Sequence, residues 1–247
     1  MLLYIDKPAG ITSYDVIRRL KEIGREVTKE MASNDQAGSA GYKKTSSYPA
    51  LPKIGHAGTL DPPATGLLIV GIGPGTKELN SWLGQDKEYL TEVLLGVKTN
   101  TGDVSGEVEQ EKDVPVTTEQ VAAAVGRLEG TIDLPVPRFS AVKSKGQPLY
   151  KKARQGKAVD VPRREMIVRE AELLGVEEKQ GRTVIRVRLL VASGVYIRSL
   201  AEYLAEELKT VGTVSALRRT KIGEVDISQA IELNDPGLKE KLRPLIK

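Results

Sequence analysis

The sequence has no cysteine and only one histidine among its 247 residues. Without cysteine the chain cannot form a disulfide, a thiolate nucleophile or a cysteine-ligated metal site. With a single histidine as well, we expect no bound metal. No apolar run approaches the roughly 20 residues needed to cross a bilayer, and the first residues lack a signal-peptide pattern. These absences predict a cytoplasmic protein without a membrane anchor.

Charge is nearly balanced, with 37 basic against 33 acidic residues and a net charge of +4. A chain of this length can form one large domain or two small ones around an ample core. The basic residues are unevenly distributed, which favours either a stripe that binds phosphates or simply a solvated face. They cluster at Lys143 and Lys145, Lys151 to Lys157, Arg163 and Arg164, and Arg218 and Arg219.

The most informative stretch runs from Lys53 to Gly71 and contains the single histidine, His56. One carboxylate, Asp61, precedes two prolines, and an apolar run from Leu67 to Val70 follows. Proline fixes its own φ angle and keeps the preceding residue out of the helical region, so we expect Asp61 on a stiff, irregular loop before a buried strand. Such a carboxylate is a candidate nucleophile, acid or base; the alternative is a purely structural Asx turn.

Periodicity predicts the neighbouring elements. A strand at Leu2 to Ile5 precedes a helix capped by Thr12 or Ser13, whereas residues 25–52 are polar and aperiodic and are expected to be a flexible insertion. Alternating strands are expected at residues 89–95 and 183–191, and helices follow Thr117 and Tyr196. The last helix would place Arg198 at its start, pointing away from its buried face.

The string Gly-His-Ala-Gly-Thr-Leu-Asp-Pro-Pro-Ala-Thr-Gly-Leu-Leu, from Gly55 to Leu68, closely resembles the signature of the TruB family of tRNA pseudouridine synthases. Further segments resemble the same family: Lys-Pro-Ala-Gly-Ile-Thr-Ser from Lys7, Lys-x-Tyr from Lys87, Thr-Gly-Asp from Thr101, Gly-x-Tyr-Ile-Arg from Gly194, and Leu-Arg-Arg from Leu217.

The resemblance implies one catalytic domain over residues 1–247, of the α/β (α+β) class, with a mixed, mostly antiparallel sheet flanked by helices. The C-terminal RNA-binding domain of the PUA type, found in most bacterial members, is expected to be missing. The segment from Lys7 is usually interpreted in the family as structural support for the catalytic loop.

The resemblance also implies the activity, which is isomerisation of uridine 55 in the TΨC loop of tRNA to pseudouridine. Asp61 would be the catalytic residue, and no cofactor is required. The partner would be the T-arm stem-loop of tRNA, bound by a monomer. Substrate-binding residues would be His56, Tyr89, Tyr196, Arg198 and Leu217, and weaker contacts to the RNA backbone would come from Lys77, Lys143, Lys151 and Arg154.

Alternatives remain for the function and for single residues. The chain could bind or fold RNA without catalysis as its main role, or it could modify another RNA. Taken alone, Tyr89 is more often a core residue of a strand, and Arg198 more often a surface ion pair. Whether Asp61 acts as a nucleophile or as a base is open.

Overall fold

The computed structural model describes residues 1–36, 51–144, 146–155 and 159–246. The chain folds into two compact units. The first unit contains residues 1–85 and 221–247, and the second contains residues 86–220.

The described strands range from 2 to 17 residues in length. They are β1 (Leu2–Lys7), β2 (Ile54–Ala57), β3 (Thr65–Ile72), β4 (Lys87–Leu95), β5 (Val97–Thr99), β6 (Val108–Glu111), β7 (Gly130–Pro135), β8 (Lys143–Ser144), β9 (Gln147–Pro148), β10 (Arg163–Lys179), β11 (Arg182–Val191), β12 (Gly212–Ile222), β13 (Val225–Asp226) and β14 (Ile231–Glu232).

The described α-helices range from one turn to nearly seven. They are α1 (Ser13–Gln36), α2 (Leu79–Leu83), α3 (Thr118–Gly126), α4 (Leu149–Ala153), α5 (Ile197–Glu207) and α6 (Gly237–Leu242). Short 3₁₀ turns occupy Gly73–Lys77, Ile227–Gln229 and Arg243–Leu245. None of the helices in the described ranges is both long enough and apolar enough to cross a membrane.

The first unit is built on β3, whose residues after Thr65 are all buried. Strand β1 pairs with it antiparallel from Leu2 opposite Gly71 to Lys7 opposite Gly66, and β2 also pairs with it antiparallel. Strand β14 adds parallel to β1. A strand buried on both faces reads as a continuous apolar run, which is why the predicted strand at Leu67 to Val70 is confirmed.

Helix α1 packs its apolar face against this sheet and against α6. The core between them contains side chains from every layer: Leu3, Ile5, Val16, Ile17, Leu20, Ile23, Val27, Leu68, Val70, Ile72, Leu233, Leu238, Leu242 and Ile246. A core shared by helix and sheet fixes the face of β1 that carries Leu3 and Ile5.

The expectation of a flexible insertion from residue 25 is wrong for residues 25–36. Helix α1 continues to Gln36 because the apolar stripe also continues. Val27 is fully buried, and Met31 packs against the same core, each at helical spacing after Ile23. The part of that expectation that concerns residues 37–50 lies outside the described residues.

The second unit contains a sheet in the order β12, β4, β11, β10, β7. Strands β4 and β11 pair antiparallel, as do β11 with β10 and β10 with β7. Burial alternates strictly from Lys87 to Val93 along β4, as the sequence pattern predicted. The apolar stripe of α5 faces β4 and β11 around a small void lined by side chains of all three elements.

Helix α3 follows Thr117, as predicted, and Thr117 caps it in a capping box with Gln120. The helix ends at Gly126, and β7 begins four residues later at Gly130. The architecture of mixed, mostly antiparallel sheet with flanking helices confirms the predicted fold class.

The extension of α1 through residues 25–36 can be tested at Lys29, which is exposed. Lys29→Pro removes a backbone donor from the helix interior and clashes with the preceding turn, so it should lower the free energy of unfolding by about 3 kcal/mol. Lys29→Ala, the control, should change it by less than about 0.5 kcal/mol. Urea denaturation measures both. Equal stability of the two variants would restore the loop interpretation.

Candidate active site

Asp61 lies between β2 and β3 in the first unit, on a turn that contains Pro62 and Pro63. The turn is closed by the Ala64 amide, which donates to the Asp61 carbonyl oxygen at 3.1 Å. The Asp61 residue is partly exposed, whereas Leu60 and Ala64 on either side are buried. The carboxylate therefore sits on a stiff segment whose flanks are anchored in the core.

The C-terminal side of Asp61 is held by Lys7, a lysine with no exposed surface. Its ammonium group donates to three carbonyl oxygens, those of Pro8 and Ile11, each at 2.8 Å, and that of Pro62 at 3.2 Å. The Gly10 amide donates to the Pro62 oxygen as well, at 2.9 Å. A buried charge is tolerated when it is satisfied by hydrogen bonds, and here those bonds tie the turn after β1 to the Asp61 loop.

The N-terminal side of Asp61 is held by Ser13, the first residue of α1. The Leu60 amide donates to the Ser13 hydroxyl at 2.9 Å, and the hydroxyl donates to the Leu60 carbonyl oxygen at 3.2 Å. The residues before and after Asp61 are thus both bonded to the segment from Lys7 to Ser13. This agrees with the expectation that the segment supports the loop.

His56 lies on β2, opposite Val70 of β3, and is partly exposed. Lys77 ends the 3₁₀ turn that follows β3 and is exposed. Both belong to the first unit with Asp61.

Tyr89, Tyr196, Arg198 and Leu217 belong to the second unit. Tyr89 lies on β4 opposite Leu189 and is 7% exposed, a burial that a core residue would also show. Tyr196 directly precedes α5 and is partly exposed, as is Leu217 on β12. The action of this set and of Asp61 on one nucleotide remains a prediction.

Arg198 is buried, which corrects the expectation that it points away from the buried face of its helix. It is the second residue of α5, close to the predicted start, and it is 5% exposed, which also excludes the alternative of a surface ion pair. Its guanidinium donates to the carbonyl oxygens of Thr101, at 2.6 Å, and Phe139, at 3.1 Å. Two loops that are distant in sequence therefore cover the side chain. The periodicity of the helix cannot predict this burial.

Gly102 makes this close packing possible. Its φ angle is +75°, and a Cβ there would lie 3.3 Å from the Arg198 Cβ and 3.1 Å from a Glu202 carboxylate oxygen. Glycine satisfies both the left-handed backbone and the lack of space. Burial raises the pKa of Glu202, and Lys98, whose ammonium is 3.3 Å away, partly offsets the rise. Sequence reasoning missed Glu202, although its position four residues after Arg198 on a helix was an available signal.

Two further buried cations are Lys87, the first residue of β4, and Arg219 on β12. Lys87 is 7% exposed, and its burial together with the nearby Arg219 guanidinium lowers its pKa to about 8. Arg219 is 1% exposed. It therefore does not belong to a solvent-facing basic stripe, which corrects that part of the expectation.

The other predicted phosphate contacts are on the surface of the second unit. Lys143, Lys151 and Arg154 are exposed, and the Arg154 guanidinium lies 5.7 Å from the ring centre of Tyr150. Arg163 is also exposed but forms an ion pair with Asp133, at 2.6 Å. Lys145 and Lys157 lie outside the described residues. Within the described part of the chain, no three potential metal ligands among His, Cys, Asp and Glu are grouped together.

Comparison with known proteins gives a consistent match. Residues 44–197 match the model of the TruB family pseudouridylate synthase N-terminal domain. The chain is 36% identical to the tRNA pseudouridine synthase B of Leifsonia xyli subsp. xyli, over 94% of this chain and 70% of that protein. It is 35% identical to the enzyme of the same name from Endomicrobium trichonymphae, over 98% of this chain and 93% of that protein.

Among solved structures, a chain of the archaeal box H/ACA sRNP Nop10–Cbf5 complex shares the fold, with a TM-score of 0.62 and 22% identity. The alignment covers 99% of this chain and 57% of that one. Because the family model matches more than half of the sequence and two relatives exceed 30% identity over most of their length, the chain belongs to the TruB family and is a pseudouridine synthase.

Proposed function

We propose that the chain isomerises uridine 55 in the TΨC loop of tRNA to pseudouridine, with Asp61 as the essential catalytic residue. The names of the relatives support tRNA as the substrate. The observation that carries the role of Asp61 is the double anchoring of its loop, through Ser13 to Leu60 and through Lys7 to Pro62. Fixed geometry is what a catalytic group requires.

The chemistry is consistent with a single carboxylate. Pseudouridine formation breaks the bond between C1′ of the ribose and N1 of the uracil, rotates the base and reattaches it through C5. No electrons are exchanged with a cofactor and no phosphoryl group moves, so the residues must trap or stabilise the separated pieces. A carboxylate can do this as a nucleophile or as a base. The chain has no cysteine that could serve instead.

The target base must leave its stack to reach Asp61. We assign Tyr89 to stacking on the flipped uracil, and Tyr196 and Leu217 to the walls of its pocket. His56 would stack in the RNA at the position that the base has vacated. Arg198 is assigned to the substrate-binding residues as well.

Phosphate contacts would come from Lys77, Lys143, Lys151 and Arg154, all of them exposed. A mobile lysine or arginine on the surface can neutralise a phosphate at little cost in desolvation. A chain of the same fold that binds or folds RNA without catalysis is the second candidate, and the basic surface alone would satisfy it.

Replacement of Asp61 separates the two candidates. Asp61→Asn keeps the shape of the side chain and removes its negative charge, so turnover should fall below detection while tRNA binding stays within about threefold. Pseudouridine mapping by position and a filter-binding assay measure the two quantities. Substantial product from this variant would disprove the assignment, and product at a position other than 55 in the wild type would disprove the target.

Arg198→Lys tests whether activity requires the planar guanidinium group of Arg198. The guanidinium reaches two carbonyl oxygens from different loops, and one ammonium group cannot reproduce that geometry. The turnover number should fall at least about tenfold, with a loss of about 1–3 kcal/mol in unfolding free energy.

The matched control for Arg198 is Arg186→Lys, at an exposed arginine paired with Glu177 on the neighbouring strand β10. Exposed ion pairs contribute little, so this variant should behave as the wild type. Normal turnover by Arg198→Lys would mean that Arg198 has no role in catalysis.

Lys7→Met tests the anchoring of the Asp61 loop. The variant leaves three carbonyl oxygens without the ammonium donor, so the unfolding free energy should fall by about 2 kcal/mol and the turnover number should fall more than the KM rises. Lys53→Met, at an exposed lysine before β2, is the control and should leave both unchanged. A Lys7→Met enzyme that is destabilised but has a normal turnover number would show that Lys7 supports the fold alone.

A further inference from the structure

The exposed surface of α1 is sorted by charge into two separate stripes. The first stripe is acidic and consists of Glu22, Glu26 and Glu30. Three cations that do not belong to the second stripe form ion pairs with these carboxylates. These are Arg19, which bonds Glu22 and Glu26, Lys239, which bonds Glu26 and Glu30, and Arg243, which bonds Glu30. This stripe is neutralised within the first unit.

The other stripe carries one aromatic ring and four cations at spacings of four, three, four and four residues. All are exposed, and together they form what we call the basic face of α1: Tyr14, Arg18, Lys21, Arg25 and Lys29. Residues at this spacing lie on one side of a helix. Arg18 bonds Asp15 in the first turn, but Lys21, Arg25 and Lys29 take part in no ion pair among the described residues.

Within this face, neighbouring charges have the same sign. Lys21 and Arg25, like Arg25 and Lys29, are like charges four residues apart, which repel one another. Alternation of sign along the face would have relieved the repulsion. A partner with negative charges at regular intervals would relieve it too.

The position of the face links it to the Asp61 loop. Ser13, which holds Leu60, is the residue directly before Tyr14. The face therefore begins next to the catalytic loop and extends about 22 Å to Lys29 at the helical rise. Tyr14 is 61% exposed, an unusual state for an aromatic ring, which at this place can stack on a nucleobase.

The apolar side of α1 excludes a lipid surface as the partner. An interfacial helix inserts its apolar face into the membrane, but Val16, Leu20, Ile23 and Val27 are buried in the core of the first unit. The groups of α1 that remain accessible to a partner are the charged side chains and the Tyr14 ring.

We infer that the basic face of α1 is an RNA-binding surface that contacts the phosphate backbone of the substrate as it leaves the Asp61 site, with Tyr14 stacking on a base nearest that site. The inference rests on the proposed function, because it takes the substrate to be RNA.

The test neutralises the three cations that have no ion pair. The variant Lys21→Gln, Arg25→Gln and Lys29→Gln keeps helix-forming side chains at exposed positions, so the fold should be retained. Binding of a T-arm hairpin RNA is measured against salt concentration in the Asp61→Asn background, where no product forms. Loss of three phosphate contacts should make the slope of log K against log salt less steep by about 2–3 and weaken binding about tenfold near 0.1 M salt.

Two controls separate position from net charge. Lys21→Arg, Arg25→Lys and Lys29→Arg keeps the charges and should bind as the parent does. Neutralisation of three exposed lysines outside α1, Lys112, Lys209 and Lys241, removes the same charge and should leave the slope nearly unchanged. Tyr14→Ala should raise the KM about tenfold, and Tyr14→Phe should restore it.

An unchanged slope in the triple glutamine variant overturns the inference, and so does an equal loss in the variant at Lys112, Lys209 and Lys241. In both cases the wild type would still convert the hairpin. A wild type that neither binds nor converts the RNA would instead refute the proposed function, and the inference with it.

Discussion

The contact on which the first unit depends is the one between the Lys7 ammonium group and three backbone carbonyl oxygens. A fully buried lysine is costly unless its charge is satisfied, so the carbonyls of Pro8, Ile11 and Pro62 are held where the ammonium group needs them. This makes the conformation of the Asp61 loop a condition for folding the β1–α1 connection. A carboxylate on a proline-rich turn would otherwise take its geometry from the turn alone.

The second unit uses the same kind of interaction at Arg198. A buried cation again bonds to carbonyl oxygens, here from two loops separated by 38 residues at Thr101 and Phe139. Such bonds specify position more narrowly than apolar packing does, because donors and acceptors must be aligned as well as close. Each unit thus fixes one proposed active-site residue, Asp61 in the first and Arg198 in the second, with the help of a buried cation that is bonded to backbone. The apolar cores provide the stability that offsets the desolvation of those cations.

The sequence predicted those features that show a clear pattern among residues close together in the chain, and it missed those that have a weak local pattern or depend on contacts between distant segments. Strands β3, β4 and β11 and the face of α5 follow from periodicity within a few residues. The continuation of α1 was missed because a single apolar residue per turn, Val27 and then Met31, carries the stripe through a polar segment. The 17-residue strand β10 was not predicted, since Met166 and Val168 are its only fully buried residues among those described. The burial of Arg198 depends on distant loops, so no local pattern could reveal it.

The charges on α1 follow from a different constraint. Stability alone would favour alternating signs along an exposed helix face, with each cation near a carboxylate. The acidic stripe meets that condition through Arg19, Lys239 and Arg243, so the first unit has the means to neutralise a helix surface. The basic face lies beside it on the same helix, and its Lys21, Arg25 and Lys29 form no ion pair among the described residues. Proteins retain locally unfavourable arrangements mainly where function requires them. A polyanion held against this face, starting at the loop that bears Asp61, would offset the repulsion, because each cation would then neutralise a phosphate and release its counterion.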